Sequence, residues 1–263
     1  MAVLKDVKRL VIKVGTSTLT YKSGKTNIRR IHKLVSVLSD IANSGIEVAL
    51  VTSGAIGVGA GKLGLSEKPS DTPGRQAAAT VGQCELMFMY DKIFSEYGHN
   101  VGQLLITKSD VENDERRENL QNTFNKLFEY GAIPIINEND SVAVEEIVYG
   151  DNDSLSAIVA KLISADALII FTYIVGVYDD NPTVNEVAQL IPTVYDITDD
   201  LMGIAGGRGS TFGTGGMITK LQAAKIATDA GIDMIIMNGS APETIYKALD
   251  GKQIGTFFVG KNK

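Results

Sequence analysis

The chain has 263 residues, enough for one large domain or two small ones. It is 44% hydrophobic and 21% charged, with a formal net charge of −6, a globular balance that speaks against a general nucleic-acid binder. Nothing approaches the roughly 20 apolar residues of a membrane helix, and the N-terminal MAVLKDVKRL lacks the apolar core of a signal peptide. A single cysteine, Cys84, excludes an internal disulfide and a cysteine-cluster zinc site, so a reducing cytoplasm is the expected location.

Strand-like runs alternate with helical patterns from the start. VIKV leads to a helix over Ile28 to Asn43, where Ile31, Leu34, Val35, Leu38 and Ile41 fall at helical spacing and Gly45 is a natural stop. EVALVT (Glu47 to Thr52) reads as a strand running into the glycine-rich SGAIGVGAG. A helix is predicted from roughly Arg75 to Tyr97, a strand in NVGQLLIT, a helix over Arg116 to Tyr130 and a strand in AIPIIN (Ala132 to Asn137). Glu145 to Val148, just before GDND, reads as a hairpin at the edge of a site. Asp153 to Ser164 follows as a helix, ALIIFT (Ala167 to Thr172) as a strand, Lys220 to Ala230 as a helix, MIIM (Met234 to Met237) as a strand, and GTFFV as the last strand. The strands are short continuous apolar runs, the pattern of a sheet covered on both faces. The expectation is an α/β protein: one three-layer α/β/α sandwich with a mainly parallel central sheet, residues 1–263 forming a single domain.

Ligands of such sheets bind beyond the carboxyl ends of the strands. Polar, mostly glycine-containing stretches sit there or precede helices: KVGTS, TSGAIGVG, NENDSV, GDNDSLSA and GTGGMITK. Glycine-rich turns and helix N-termini bind anions through backbone N–H groups, and two of these stretches carry a lysine, so a phosphate site is expected. The common nucleotide signatures do not fit. GKT at Gly24 to Thr26 lacks the first P-loop glycine, replaced by Leu19, and GAGKLG starts too far beyond its strand for a dinucleotide fingerprint.

Taken in order, KVGTSTLT, VTSGAIGVG, PIINENDSV, GDNDSLSA and GTGGMITKLQAA resemble the amino acid kinase family, and within it the glutamate 5-kinases, over essentially the whole chain. The resemblance implies ATP-dependent phosphorylation of the side-chain carboxylate of L-glutamate to L-glutamyl 5-phosphate, the first step of proline synthesis. A glutamate carboxylate has a pKa of about 4.3, is already ionised at neutral pH and needs no general base. The difficulty is that one anion must approach another, so catalysis rests on positioning and on cations.

By resemblance, Lys13 and Lys220 are the catalytic lysines and Asp153 the carboxylate that organises them. The plain alternatives are a strand-end lysine, a helix-start lysine and an N-cap. Ser53 and Gly54 resemble contacts to glutamate and the transferred phosphoryl group, with a simple turn into a helix as their alternative. Asp140 and Asn152 resemble the glutamate-binding groups, a carboxylate suiting the substrate ammonium, and Asn137 belongs to the same pocket; a polar loop of Asx turns would also give NEND. For ATP the resemblance points to Lys13, Gly15, Thr172, Tyr173 and the stretch Gly213, Thr214, Gly215, Gly216, Met217 and Lys220. Mg²⁺ is expected to bridge the phosphates with few direct protein ligands.

The chain departs from the family pattern at FTYIVGVYDDNP, where Tyr173 stands in place of the usual acid while Gly176, Val177, Tyr178 and Pro182 keep the following turn. The stretch GTFFVGKNK comes soon after the last kinase-like motif, and the C-terminal PUA domain of many bacterial members is not expected. His32 and His99 join no motif, and Cys84 reads as a packed thiol. The resemblance further implies feedback inhibition by L-proline, hand-over of the labile acyl phosphate to glutamyl phosphate reductase, a homodimer or homotetramer, and no nucleic-acid or membrane partner. N-acetylglutamate kinase, aspartokinase and carbamate kinase are the rival activities. A non-catalytic glutamate or proline sensor is the rival class, encouraged by Tyr173 and opposed by Lys13, Lys220 and Asp153.

Overall fold

The computed structural model describes residues 3–21, 25–142, 152–180, 182, 185, 187–205 and 216–261. Among these the strands are β1 Arg9–Lys13, β2 Glu47–Val51, β3 Val101–Ile106, β4 Ile133–Glu138, β5 Ala167–Thr172, β6 Thr193–Val194, β7 Asp233–Asn238 and β8 Thr256–Phe258. The helices are α1 Thr16–Leu19, α2 Ile28–Asn43, α3 Ala55–Lys62, α4 Thr72–Glu96, α5 Lys108–Glu112, α6 Asp114–Glu129, α7 Asn152–Leu162, α8 Asp199–Ala205, α9 Met217–Asp229 and α10 Thr244–Leu249. The chain packs as two compact units, Met1–Lys13 with Tyr149–Lys263, and Val14–Val148.

The first unit holds strands in the order β1-β5-β7-β8-β6. β1 with β5, β5 with β7 and β6 with β8 are parallel, and β7 with β8 is antiparallel. β5 is buried at every position, as its unbroken apolar run requires. The second unit holds β3-β4-β2, both pairs parallel. The α/β fold with a mainly parallel sheet is therefore as the sequence led one to expect.

Local chemistry sets the helix boundaries. Asn27 caps α2 by accepting from the Arg30 N–H, and Ile31, Leu34, Val35, Leu38 and Ile41 form its buried stripe. Asp71 caps α4 by accepting from the Gly74 N–H, and Pro73 lies in the first turn, so this helix starts at Thr72, ahead of the expected Arg75.

SGAIGVGAG is not a long loop. From Ala55 onward it is α3, and its glycines serve packing: a Cβ on Gly59 would lie 1.7 Å from the Ala78 carbonyl oxygen of α4, and one on Gly82 1.8 Å from the Ala55 oxygen of α3. The two helix backbones touch where both lack side chains. α9 begins at Met217, so Lys220 is a turn into the helix rather than its first residue. The short α1, α5, α8 and β6 had no periodic signal in the sequence. The hairpin expected over Glu145 to Val148 lies outside the described residues.

Candidate functional site

In the first unit, three predicted residues meet. Lys13 ends β1, opposite Ile170 of β5, and is 5% exposed. Asp153 sits in the first turn of α7, within the helix rather than at its cap, and is fully buried. Lys220 projects from α9. The Lys13 Nζ is 2.5 Å from Asp153 Oδ1, and the Lys220 Nζ donates to Asp153 Oδ2 at 2.9 Å. Each ammonium thus takes a separate carboxylate oxygen. The Thr219 hydroxyl lies 3.1 Å from the same Oδ2 and 2.8 Å from the Gly216 carbonyl, so its single proton has two acceptors. Burial of charges is costly unless they are paired and hydrogen-bonded, and this carboxylate supplies that pairing.

In the same unit, Asn152 is the first residue of α7 and is buried. Thr172 ends β5, buried, its carbonyl accepting from the Gly239 N–H at 2.8 Å. Tyr173 follows with its side chain 67% exposed, while its carbonyl accepts from Asn238 Nδ2 at 2.8 Å. Gly216 is the N-cap of α9 and Met217 its first residue. Gly213, Thr214 and Gly215 lie outside the described residues.

In the second unit, Gly15 is the N-cap of α1. Ser53 and Gly54 follow β2, both half-buried, and Gly54 caps α3 at φ +98°, a conformation that favours glycine. A side chain there would also meet Thr16 at 3.2 Å. The neighbouring Thr52 hydroxyl bonds the Tyr90 hydroxyl of α4 at 2.9 Å, and burial pushes that phenol up. Asn137, 2% exposed, uses its carboxamide internally: Nδ2 donates to Gln83 Oε1 at 2.8 Å and Oδ1 accepts from the Glu138 N–H at 2.9 Å.

Asp140 is half-buried, its carboxyl raised by burial against the opposing pull of Arg75. Glu138 is pushed up to about 7 by burial and by the charge of Asp140, again opposed by Arg75. Two carboxylates next to one guanidinium make a polar patch that an ammonium would complement.

Glu138, Arg75 and Gln83 were not among the predicted site residues. Glu138 stands inside the NEND motif, and Gln83 interrupts the buried face formed by Ala78, Ala79, Gly82, Leu86 and Tyr90. Those were the signals available; Arg75 gave none. Cys84 is exposed rather than packed, because it falls beside that buried face and not on it. No described helix is long and apolar enough to cross a membrane.

A parallel α/β architecture with two lysines gathered on one buried carboxylate, close to the end of a strand, suits one class of protein, enzymes that handle phosphoanions. The family model of the amino acid kinase family matches residues 8–238, and the chain belongs to that family. Over 262 residues it is 54% identical to the glutamate 5-kinase of Clostridium perfringens (strain 13 / Type A), covering 98% of this chain and 97% of the relative. It is 53% identical over 264 residues to the glutamate 5-kinase of Listeria monocytogenes serotype 4b (strain CLIP80459), covering 99% and 96%. The crystal structure of UMP kinase from Bacillus anthracis shares the fold, with a TM-score of 0.68 at 18% identity, covering 98% of both chains.

Proposed function

We propose that the chain transfers the γ-phosphoryl group of ATP to the side-chain carboxylate of L-glutamate, giving L-glutamyl 5-phosphate, the first step of proline biosynthesis. The observation that carries this reading is the pair of ammonium groups on Asp153, in a chain more than half identical to glutamate 5-kinases over nearly its whole length.

In this reading Lys13 and Lys220 neutralise the transferring phosphoryl oxygens. Asp153 fixes where the two ammonium groups stand and takes no proton, since the acceptor is already ionised. Gly15, Thr172, Tyr173 and the stretch Gly213 to Lys220 hold ATP. The residues proposed for glutamate are Ser53, Gly54, Asp140 and Asn137 of the second unit and Asn152 of the first. Mg²⁺, when bound, neutralises phosphate charge. Both Asp153 oxygens already face lysines, so this carboxylate does not fit the ion as a donor, in keeping with few direct protein ligands beside phosphate oxygens and water. A cytoplasmic homo-oligomer, inhibited by L-proline and passing its labile product to a glutamyl phosphate reductase, completes the proposal.

The test is ADP release from Mg-ATP with L-glutamate, trapping the acyl phosphate as hydroxamate, with N-acetylglutamate, aspartate and carbamate-forming substrates in parallel. Hydroxamate from glutamate alone supports the reading, and activity confined to another acid replaces the substrate. Glutamate binding without turnover favours a sensor. Lys220→Ala should lower turnover at least about 10²-fold, the scale for one transition-state charge stabiliser. A near-normal rate in the folded variant removes Lys220 from the mechanism.

A further inference from the structure

Arg75, Gln83 and Tyr90 recur about every two turns along α4, so they lie on one helix face. Two of them reach strand ends: Tyr90 bonds Thr52 after β2, and Gln83 bonds Asn137 in β4. The orientation of the Gln83 amide is forced by its neighbours. The backbone N–H of Glu138 can only donate, so the Asn137 atom it meets at 2.9 Å is the oxygen. The Asn137 nitrogen is then turned toward Gln83, and the Gln83 atom that receives it at 2.8 Å is again the oxygen. Gln83 Nε2 is left buried without a hydrogen-bond partner among the described residues.

A donor in that state is costly. An apolar side chain of similar length would avoid the cost and fill the same space, which leaves the acceptor oxygen as the reason for an amide here. What the oxygen secures is Asn137, and through Asn137 Oδ1 the backbone of Glu138 where the chain leaves β4.

We propose that Gln83 is a positioning residue: it clamps Asn137 so that the chain leaves β4 in the one direction that presents the Glu138 to Asp140 carboxylates to the ammonium group of an amino-acid acceptor. This rests on the reading of that segment as part of the acceptor pocket. Gln83 acts on acceptor recognition and not on the nucleotide or the transferring phosphoryl group, whose lysines belong to other elements.

The test compares Gln83→Met, which keeps length and loses the acceptor, with Gln83→Glu, which keeps an oxygen toward Asn137. Asn137→Asp keeps Oδ1 for Glu138 and lets the Gln83 amide turn over, so that Nε2 donates to the new carboxylate; combined with Gln83→Glu it leaves two acceptors facing each other and no clamp. KM and kcat are measured for ATP and for whichever acceptor the wild type turns over in the substrate panel, so failure of the glutamate reading is seen separately in the wild type. Gln83→Met and the double variant Gln83→Glu with Asn137→Asp should each raise the acceptor KM about 10-fold, with ATP KM and kcat changed less than about twofold, the loss expected for one buried hydrogen bond. Gln83→Glu alone should keep the acceptor KM near the wild-type value. An unchanged acceptor KM in Gln83→Met overturns the proposal, as does a raised one in Gln83→Glu. Should Gln83→Met fail to fold, Gln83→Glu and its double variant with Asn137→Asp decide alone: the single variant keeps the acceptor KM and the double one raises it above that of Asn137→Asp, and any other pattern refutes the clamp.

Discussion

Replacing Asp153 by Asn tests the two-lysine arrangement directly. The carboxylate is fully buried and receives Lys13 at 2.5 Å and Lys220 at 2.9 Å. The neutral amide removes the charge both lysines share while leaving the volume nearly unchanged. Two ammonium groups at roughly 5 Å repel by about 3 kcal/mol at an effective dielectric of ~20, and removing one partner of a buried ion pair costs about 3–5 kcal/mol. The variant should therefore lose about 3 kcal/mol or more of unfolding free energy at pH 7, read from urea denaturation. Binding a polyphosphate replaces the missing negative charge, so ATP should raise the Tm of Asp153→Asn more than that of the wild type. In steady-state kinetics kcat should fall about 10²-fold, the size of one lost preorganised interaction, while the KM for ATP stays level or falls. An unchanged kcat with a raised KM for ATP would refute the reasoning, because it would make Asp153 a binding group rather than an organiser of the lysines. A loss of stability below about 1 kcal/mol would show that the lysines do not depend on this carboxylate.

Glu138 carries a pH prediction. Its folded value of about 7 lies above that of an ordinary carboxylate, so between roughly pH 4.5 and 7 the folded state holds a proton that the unfolded state has released. The stabilisation present at low pH is lost as pH rises through 7; Glu138→Gln, which cannot ionise, should gain stability relative to the wild type over that window in urea titrations, and a constant difference from pH 5 to 8 would show that Glu138 does not titrate there. Gly82→Ala places a methyl 1.8 Å from the Ala55 oxygen, so α3 and α4 must separate; a loss of about 1–3 kcal/mol or more is expected from such overpacking, and an unchanged denaturation midpoint would contradict the close crossing. Tyr173 is exposed, and among the described residues its carbonyl accepts from Asn238 Nδ2. Tyr173→Ala should leave Tm nearly unchanged and raise the KM for ATP about 2- to 10-fold if the ring packs on the nucleotide, as one aromatic contact would; equal KM values would remove the ring from the ATP site.

Much of this molecule was determined locally. ALIIFT is an unbroken apolar run with charge nowhere in it, and it could only be a strand buried on both faces. Ile28 to Asn43 carries its apolar stripe at helical period and its cap at Asn27, so both ends and the buried face followed from neighbours along the chain. Lys13 and Lys220 were legible through the resemblance of their motifs to the amino acid kinase family; by themselves, a lysine at a strand end and another after a glycine turn only suggest a phosphate site. Tertiary packing decided the remainder. Whether SGAIGVGAG is a loop or a helix depends on α4 lying against it, since glycine alone favours neither and here permits two backbones to touch. That Asp153 receives both lysines depends on bringing together β1, α7 and α9, segments far apart in the chain. Glu138 acquires its raised pKa only through burial near Asp140, and Gln83 acquires a purpose only once β4 ends beside α4. Periodicity and capping act over a few residues and are written in the sequence directly. Burial, charge pairing and the direction of a side-chain amide are set by residues distant in sequence, and only the folded chain brings them within reach.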